Sequence, residues 1–127
     1  PEFVEYCGDS ILVGHFVSLD VTFLNRALRK EMGGVITNPC VDSMRLARAL
    51  HELTRRAGQH RLSVETSFNL TALSRQYGLP IFEQHDALED AIQTAYLFVF
   101  LVNKLREAGF VTLRDFYQAG KLGPRGQ

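Results

Sequence analysis

"HDALEDAIQTAYLFVFLVNKLREAG", His85–Gly109, is the stretch on which the reading of this chain turns. It opens with a histidine and three acids and runs at once into the apolar string Ala95–Val102. One reading is a buried helix that simply begins in a polar way. With Asp86 as N-cap, Glu89 falls at N3, a capping-box arrangement with aspartate in the Ser/Thr role. His85 is then N′ and Asp90 is N4, two positions that touch across a helix start and normally hold an apolar staple. The other reading is chemical: an imidazole beside a carboxylate is a general base next to an anion. The stretch by itself leaves both open.

The apolar string is far short of the roughly 18 residues that a membrane span requires, so it reads as a core helix and the chain as one without a membrane partner. The 127 residues fit one small domain. Hydrophobic residues at 46% build a core, and charged residues at 22% suit a solvated surface. A formal net charge of +0 argues against a strong nonspecific polyanion binder and leaves nucleic-acid contact to a local patch. Nothing resembles a secretory signal, so Cys7 and Cys40 are expected as free thiols in the cytoplasm.

Upstream, "EFVEYCG" reads as the end of a helix closed by Gly8. "SILVGHF" (Ser10–Phe16) is a buried strand by its β-branched apolar run. Val21, Leu24, Leu28 and Met32 recur at helical spacing until Gly33-Gly34 stops them. "VITNPCVDS" is a second, weaker strand because Pro39 interrupts it. Helices follow over Ser43–Arg56, around Phe68–Tyr77 and from Leu88 to about Gly109, with one last turn or two in "TLRDFYQAG". Residues 120–127 are expected to be a flexible tail. Strand–helix–strand order favours a parallel pair with a crossover helix, so the fold class is α/β. Two parallel strands alone make a poor sheet, which suggests that the chain is a piece of something longer.

Three further groups of residues could carry chemistry. Asp20, in "GHFVSLD", follows a strand and lies near a helix start. Open α/β sheets place ligands at the carboxyl ends of their strands, although Asp20 or Ser18 could equally cap the helix. Asp42 stands in the same relation to its strand and reads more strongly as a cap. Cys7, His15, Cys40 and His85 match no short zinc-ligand spacing. Arg55, Arg56, His60 and Arg61 could meet phosphates, but such clusters are usually solvated loops.

Taken in order, "ILVGHFVSLDVTFLNRAL", "DSMRLARAL", "FNLTALSRQYGLP" and "HDALEDA" resemble the proofreading-type DEDDh 3′–5′ exonucleases of the ribonuclease-H-like superfamily. The resemblance spans roughly Pro1 to Leu105. Its most specific element is H-x-A-x-x-D, here His85, Ala87 and Asp90. The family's second motif, H-N-x-x-F-D, is present as His15, Phe16, Leu19 and Asp20, with Phe16 in place of asparagine and Leu19 in place of phenylalanine. The first motif, D-x-E on a strand, is absent; "VET" at Val64–Thr66 falls between helices.

The resemblance implies the C-terminal part of a ribonuclease-H-like fold. It implies Asp20 and Asp90 as ligands of Mg²⁺ or Mn²⁺, two ions in the complete domain, His85 as general base, and His15 and Phe16 as substrate contacts. The partner implied is a nucleic acid with a 3′ end, DNA or RNA. Two dications about 4 Å apart would require the Asp20 and Asp90 carboxylates roughly within 8 Å of each other. Several carboxylates must offset two dications, so the two present here imply an inactive or nearly inactive piece. The rival readings are a noncatalytic binding or regulatory module on the same scaffold and a helical interaction module. Exposed sheet edges in a truncated fold offer a route to self-association.

Overall fold

Among the residues that a computed structural model describes, six helices and a two-stranded parallel sheet follow one another. The structure describes residues 2–15, 18–35, 37–58, 67–82 and 86–121, apart from the side chains of Ser18, Leu19, Asp20 and Met32. The order is α1 (Glu2–Cys7), β1 (Leu12–Gly14), α2 (Ser18–Met32), β2 (Cys40–Asp42), α3 (Ser43–Arg56), α4 (Leu70–Gln76), α5 (Ala87–Glu107) and α6 (Leu113–Gly120). The chain is α/β, as its pattern predicts.

Strands β1 and β2 pair in parallel, with Leu12 opposite Cys40, Val13 opposite Val41 and Gly14 opposite Asp42. The chain between them contains α2. That helix ends where Gly33 takes a φ of 74°, a left-handed conformation that costs glycine nothing. The second strand begins only after Pro39, which has no N–H to give a ladder. The first is three residues long rather than seven, and Val13 on it is 40% exposed, so it is not the buried strand expected.

The main core forms where α3, α5 and β2 meet. Leu97, Leu101 and Leu105 lie four apart on one face of α5 and pack with Leu46 and Ala47 of α3, Leu73 of α4 and Val41 of β2. Gln93 continues that face one turn earlier and is fully buried. Its amide is satisfied there: Nε2 donates to Ser74 Oγ at 3.1 Å, and Oε1 accepts from the Phe82 N–H at 3.1 Å. A buried amide without partners would cost about 1–3 kcal/mol, so this residue ties α5, α4 and the Leu79–Phe82 stretch together. A second, smaller core joins Cys7 of α1 and Leu28 of α2. Both cysteines are free and buried.

The apolar string of α5 is not buried all round. Leu88, Ile92, Tyr96 and Val99 follow one another on its outer side and are substantially exposed, Val99 at 59%. A helix apolar on both sides therefore has one side against the core and the other open. Among the described residues no helix is long and apolar enough to cross a membrane.

The stretch expected to be a tail from residue 120 is in part docked. Gly120 closes α6 and is buried, and Lys121 forms an antiparallel bridge to Val41. A Cβ at residue 120 would lie 2.6 Å from Val41 Cγ1, closer than side-chain atoms can stand. Only glycine lets α6 come down onto β2. Residues 122–127 lie outside the described part.

Candidate functional site

The start of α5 is built as its sequence predicts. The Asp86 carboxylate accepts hydrogen bonds from the N–H groups of Leu88 at 2.9 Å and Glu89 at 3.2 Å, which makes Asp86 the N-cap. That fixes Asp90 at N4, one turn into the helix. A cleft of about 750 Å³ opens beside it. Its walls are Val13, Gly14 and His15 at the end of β1, Leu70 of α4, and Ala87, Asp90, Ala91, Thr94, Ala95, Phe98 and Val99 of α5. The cleft thus lies at the carboxyl end of a parallel strand, where α/β sheets place ligands.

Asp90 carries the unusual feature of this cleft. Its Oδ1 is buried and has no hydrogen-bond partner among the described residues. Buried polar atoms in folded proteins almost always have a partner, and an orphaned carboxylate oxygen is the costly kind. Asp90 as a residue lines the cleft, and an unpartnered carboxylate oxygen is the donor type that a hard cation takes. A complete metal cluster is not visible: among the described residues no three of His, Cys, Asp and Glu come together to hold an ion.

His15 reaches the same cleft but is fully engaged. Its Nε2 lies 2.7 Å from the Phe68 carbonyl oxygen, which only accepts, so Nε2 carries a proton. Its Nδ1 lies 2.8 Å from Ser43 Oγ. Burial lowers the pKa of His15 below its ordinary value, while the bond to Phe68 and the nearby Asp42 carboxylate pull the other way. The neutral ring then accepts from the Ser43 hydroxyl. Ser43 Oγ also stands 3.2 Å from the Gly14 carbonyl, to which its proton can turn when the ring is charged. His15 thereby fastens β1 to α3 and to the residue before the α4 cap.

Asp42 takes the capping role that its position suggests: its carboxylate accepts from the Met44 N–H at 2.9 Å. Ser18 and Asp20 both have helical backbone within α2, and their side chains lie outside the described part. Ser43 and the Phe68 carbonyl are site components that pattern reading missed. A serine directly after a strand aspartate was a usable signal for the first; a carbonyl 53 positions from its partner leaves none. Arg55 and Arg56 are ion-paired with Glu52 on the exposed side of α3. His85, Phe16, His60, Arg61 and Val64–Thr66 lie outside the described residues.

A model of an exonuclease family, RNase_T, matches residues 1–98. The chain belongs to this exonuclease family. It is 30% identical to a PolC-type DNA polymerase III of Staphylococcus haemolyticus (strain JCSC1435) over 117 residues, 92% of this chain and 7% of that protein. It is likewise 30% identical to the DNA polymerase III subunit epsilon of Aquifex aeolicus (strain VF5) over 105 residues, 83% of this chain and 46% of that subunit. A PolC-type DNA polymerase III of Staphylococcus aureus is 31% identical over 85% of this chain. The chain thus spans less than half the length of each of these relatives. No solved structure matches it significantly.

Proposed function

We propose that this member of the exonuclease family is part of a domain that removes nucleotides from the 3′ end of DNA or RNA in the cytoplasm. The unpartnered carboxylate oxygen of Asp90, a residue that lines the cleft, carries the reading. Asp90 and Asp20 would hold divalent ions, Mg²⁺ or Mn²⁺. When bound, such ions supply Lewis acidity toward a phosphodiester and lower the pKa of water. The remaining work falls to the chain. His85 directly precedes Asp86 in the sequence, and its imidazole nitrogen would take a proton from the attacking water. Phe16 would contact the substrate. With both ring nitrogens occupied, His15 would meet it only through the face or edge of its ring.

Two carboxylates are too few for two dications, so residues 1–127 by themselves are expected to be inactive or nearly so. The test is laddering of an end-labelled single-stranded oligonucleotide with and without EDTA. We expect none from residues 1–127. A protein extended upstream of Pro1 by a D-x-E strand should show Mg²⁺-dependent 3′–5′ shortening that His85→Ala and Asp90→Ala abolish. EDTA-sensitive laddering by residues 1–127 would mean that the site is elsewhere. An extended protein indifferent to both substitutions would favour a noncatalytic module on the same scaffold.

A further inference from the structure

A second cleft, of about 400 Å³, lies next to the first and shares two of its walls, His15 and Leu70. Met44 and Arg48 of α3, with Phe68 and Asn69 ahead of α4, complete it. His15 follows β1 and α3 follows β2, so this cleft too sits beyond the carboxyl ends of the parallel strands. The Arg48 guanidinium lies over the Phe68 ring, 5.4 Å from its centroid. The ring is held from another side by His51, edge-on at 5.6 Å. A guanidinium held over an aromatic face is restrained in position while its N–H groups remain able to meet an anion.

Among the described residues the charge of Arg48 also has no counter-ion. Its neighbours Arg55 and Arg56 on α3 spend theirs on Glu52, whereas Arg48 is exposed and has no ion pair among the described residues. The chain as a whole has no net charge to draw a polyanion, so contact with one must come from a placed cation of this kind.

Resting on the exonuclease reading above, we propose that this second cleft is a backbone subsite for the substrate strand. Arg48 binds a phosphate of a nucleotide adjoining the one at Asp90, and Phe68 fixes the guanidinium in place. A strand lying along the carboxyl ends of β1 and β2 passes both clefts, with His15 as the wall between them. A phosphate contact positions the strand without reading its bases.

Fluorescence anisotropy with residues 1–127, in EDTA, tests this. The probes are 5′-labelled oligo-dT and oligo-dA of about twelve nucleotides, a length within the range that one small domain covers. Arg48→Gln should weaken both probes by roughly tenfold, a loss of the size expected for a hydrogen bond to a charged group. It should also make the slope of log K against log salt shallower by about 0.7, the amount for one phosphate on a single strand. Arg48→Lys should keep the slope, since it keeps the charge. Arg106→Gln removes the same charge about 24 Å along α5 from Asp90, at 1.5 Å per residue, and should change neither. Arg48 is exposed and outside the core, so each variant should melt with the wild type. Binding by the wild type that Arg48→Gln leaves unaltered in strength and slope would overturn the subsite alone. Equal losses from Arg48→Gln and Arg106→Gln would replace it with a diffuse charge effect. No binding of either probe by the wild type would remove the subsite together with the nucleic-acid reading.

Discussion

Replacing Asp90 by alanine should make the metal-free protein more stable, and the reason lies in one atom. Oδ1 of Asp90 is buried without a hydrogen-bond partner among the described residues. An unsatisfied buried acceptor costs about 1–3 kcal/mol. The residue is only half-buried, and the low end of that range applies. Alanine removes the atom and has the better helix propensity, worth about 0.5 kcal/mol at this position. Against this, a carboxylate one turn from a helix N-terminus is worth about 0.3–1 kcal/mol through the helix dipole. The balance is a gain of about 1 kcal/mol, or about 4 °C in Tm for a domain of this size. Asp90→Asn keeps a polar atom in the same place and should recover less. The assay is thermal unfolding by circular dichroism in EDTA. A fall in Tm for Asp90→Ala would refute the argument. It would show that the carboxylate is held by favourable contacts in the metal-free protein and that its orphaned oxygen is not strain kept for a ligand.

Gly120→Ala should lower stability by about 1–3 kcal/mol, the usual cost of overpacking, read as a lower urea midpoint with an unchanged slope; its new methyl would stand 2.6 Å from Val41 Cγ1. An unchanged midpoint would mean that α6 does not rest on β2 in solution. Burial depresses the pKa of His15 in the folded state, so between its ordinary value of about 6.5 and that lower value the unfolded chain binds more protons. The stabilising contribution of neutral His15 is therefore complete above about pH 6.5 and declines as the pH falls through that window. Melting temperatures between about pH 8 and 5 should drop more steeply for the wild type than for His15→Gln, and parallel curves would contradict the burial of a neutral ring.

What could be read from the residues was whatever has a local cause. Helix α3 runs over Ser43–Arg56 as expected because its cap, Asp42, is adjacent in the chain. The start of α5 follows from Asp86 in the same way, and the end of α2 from Gly33. The features that escaped depend on distant partners. Strand β1 is short because only the stretch opposite Cys40–Asp42 has a ladder to join, and neighbouring residues of high β-propensity cannot supply one. The outer side of α5 is as apolar as its inner side, and no periodicity distinguishes which is covered. Of the candidate site, Asp90 and His15 were visible as residue types at family spacing. The double anchoring of His15 was not, because Ser43 and Phe68 are 28 and 53 positions away.

The bridge between Val41 and Lys121 also bears on when this domain can fold during synthesis. The two residues are 80 positions apart, as 121 less 41 gives, and the contact puts the residue after α6 against the middle of β2. Pairings of such long sequence separation form late and slow the overall rate. A ribosome that has released everything through α5 would still present β2 without its antiparallel neighbour and Leu46 without the helix that ends on it. For that interval the nascent domain exposes apolar surface of the kind chaperones bind and aggregation exploits. A pause with α6 still inside the ribosome would prolong that exposure, while one after Lys121 has emerged would not.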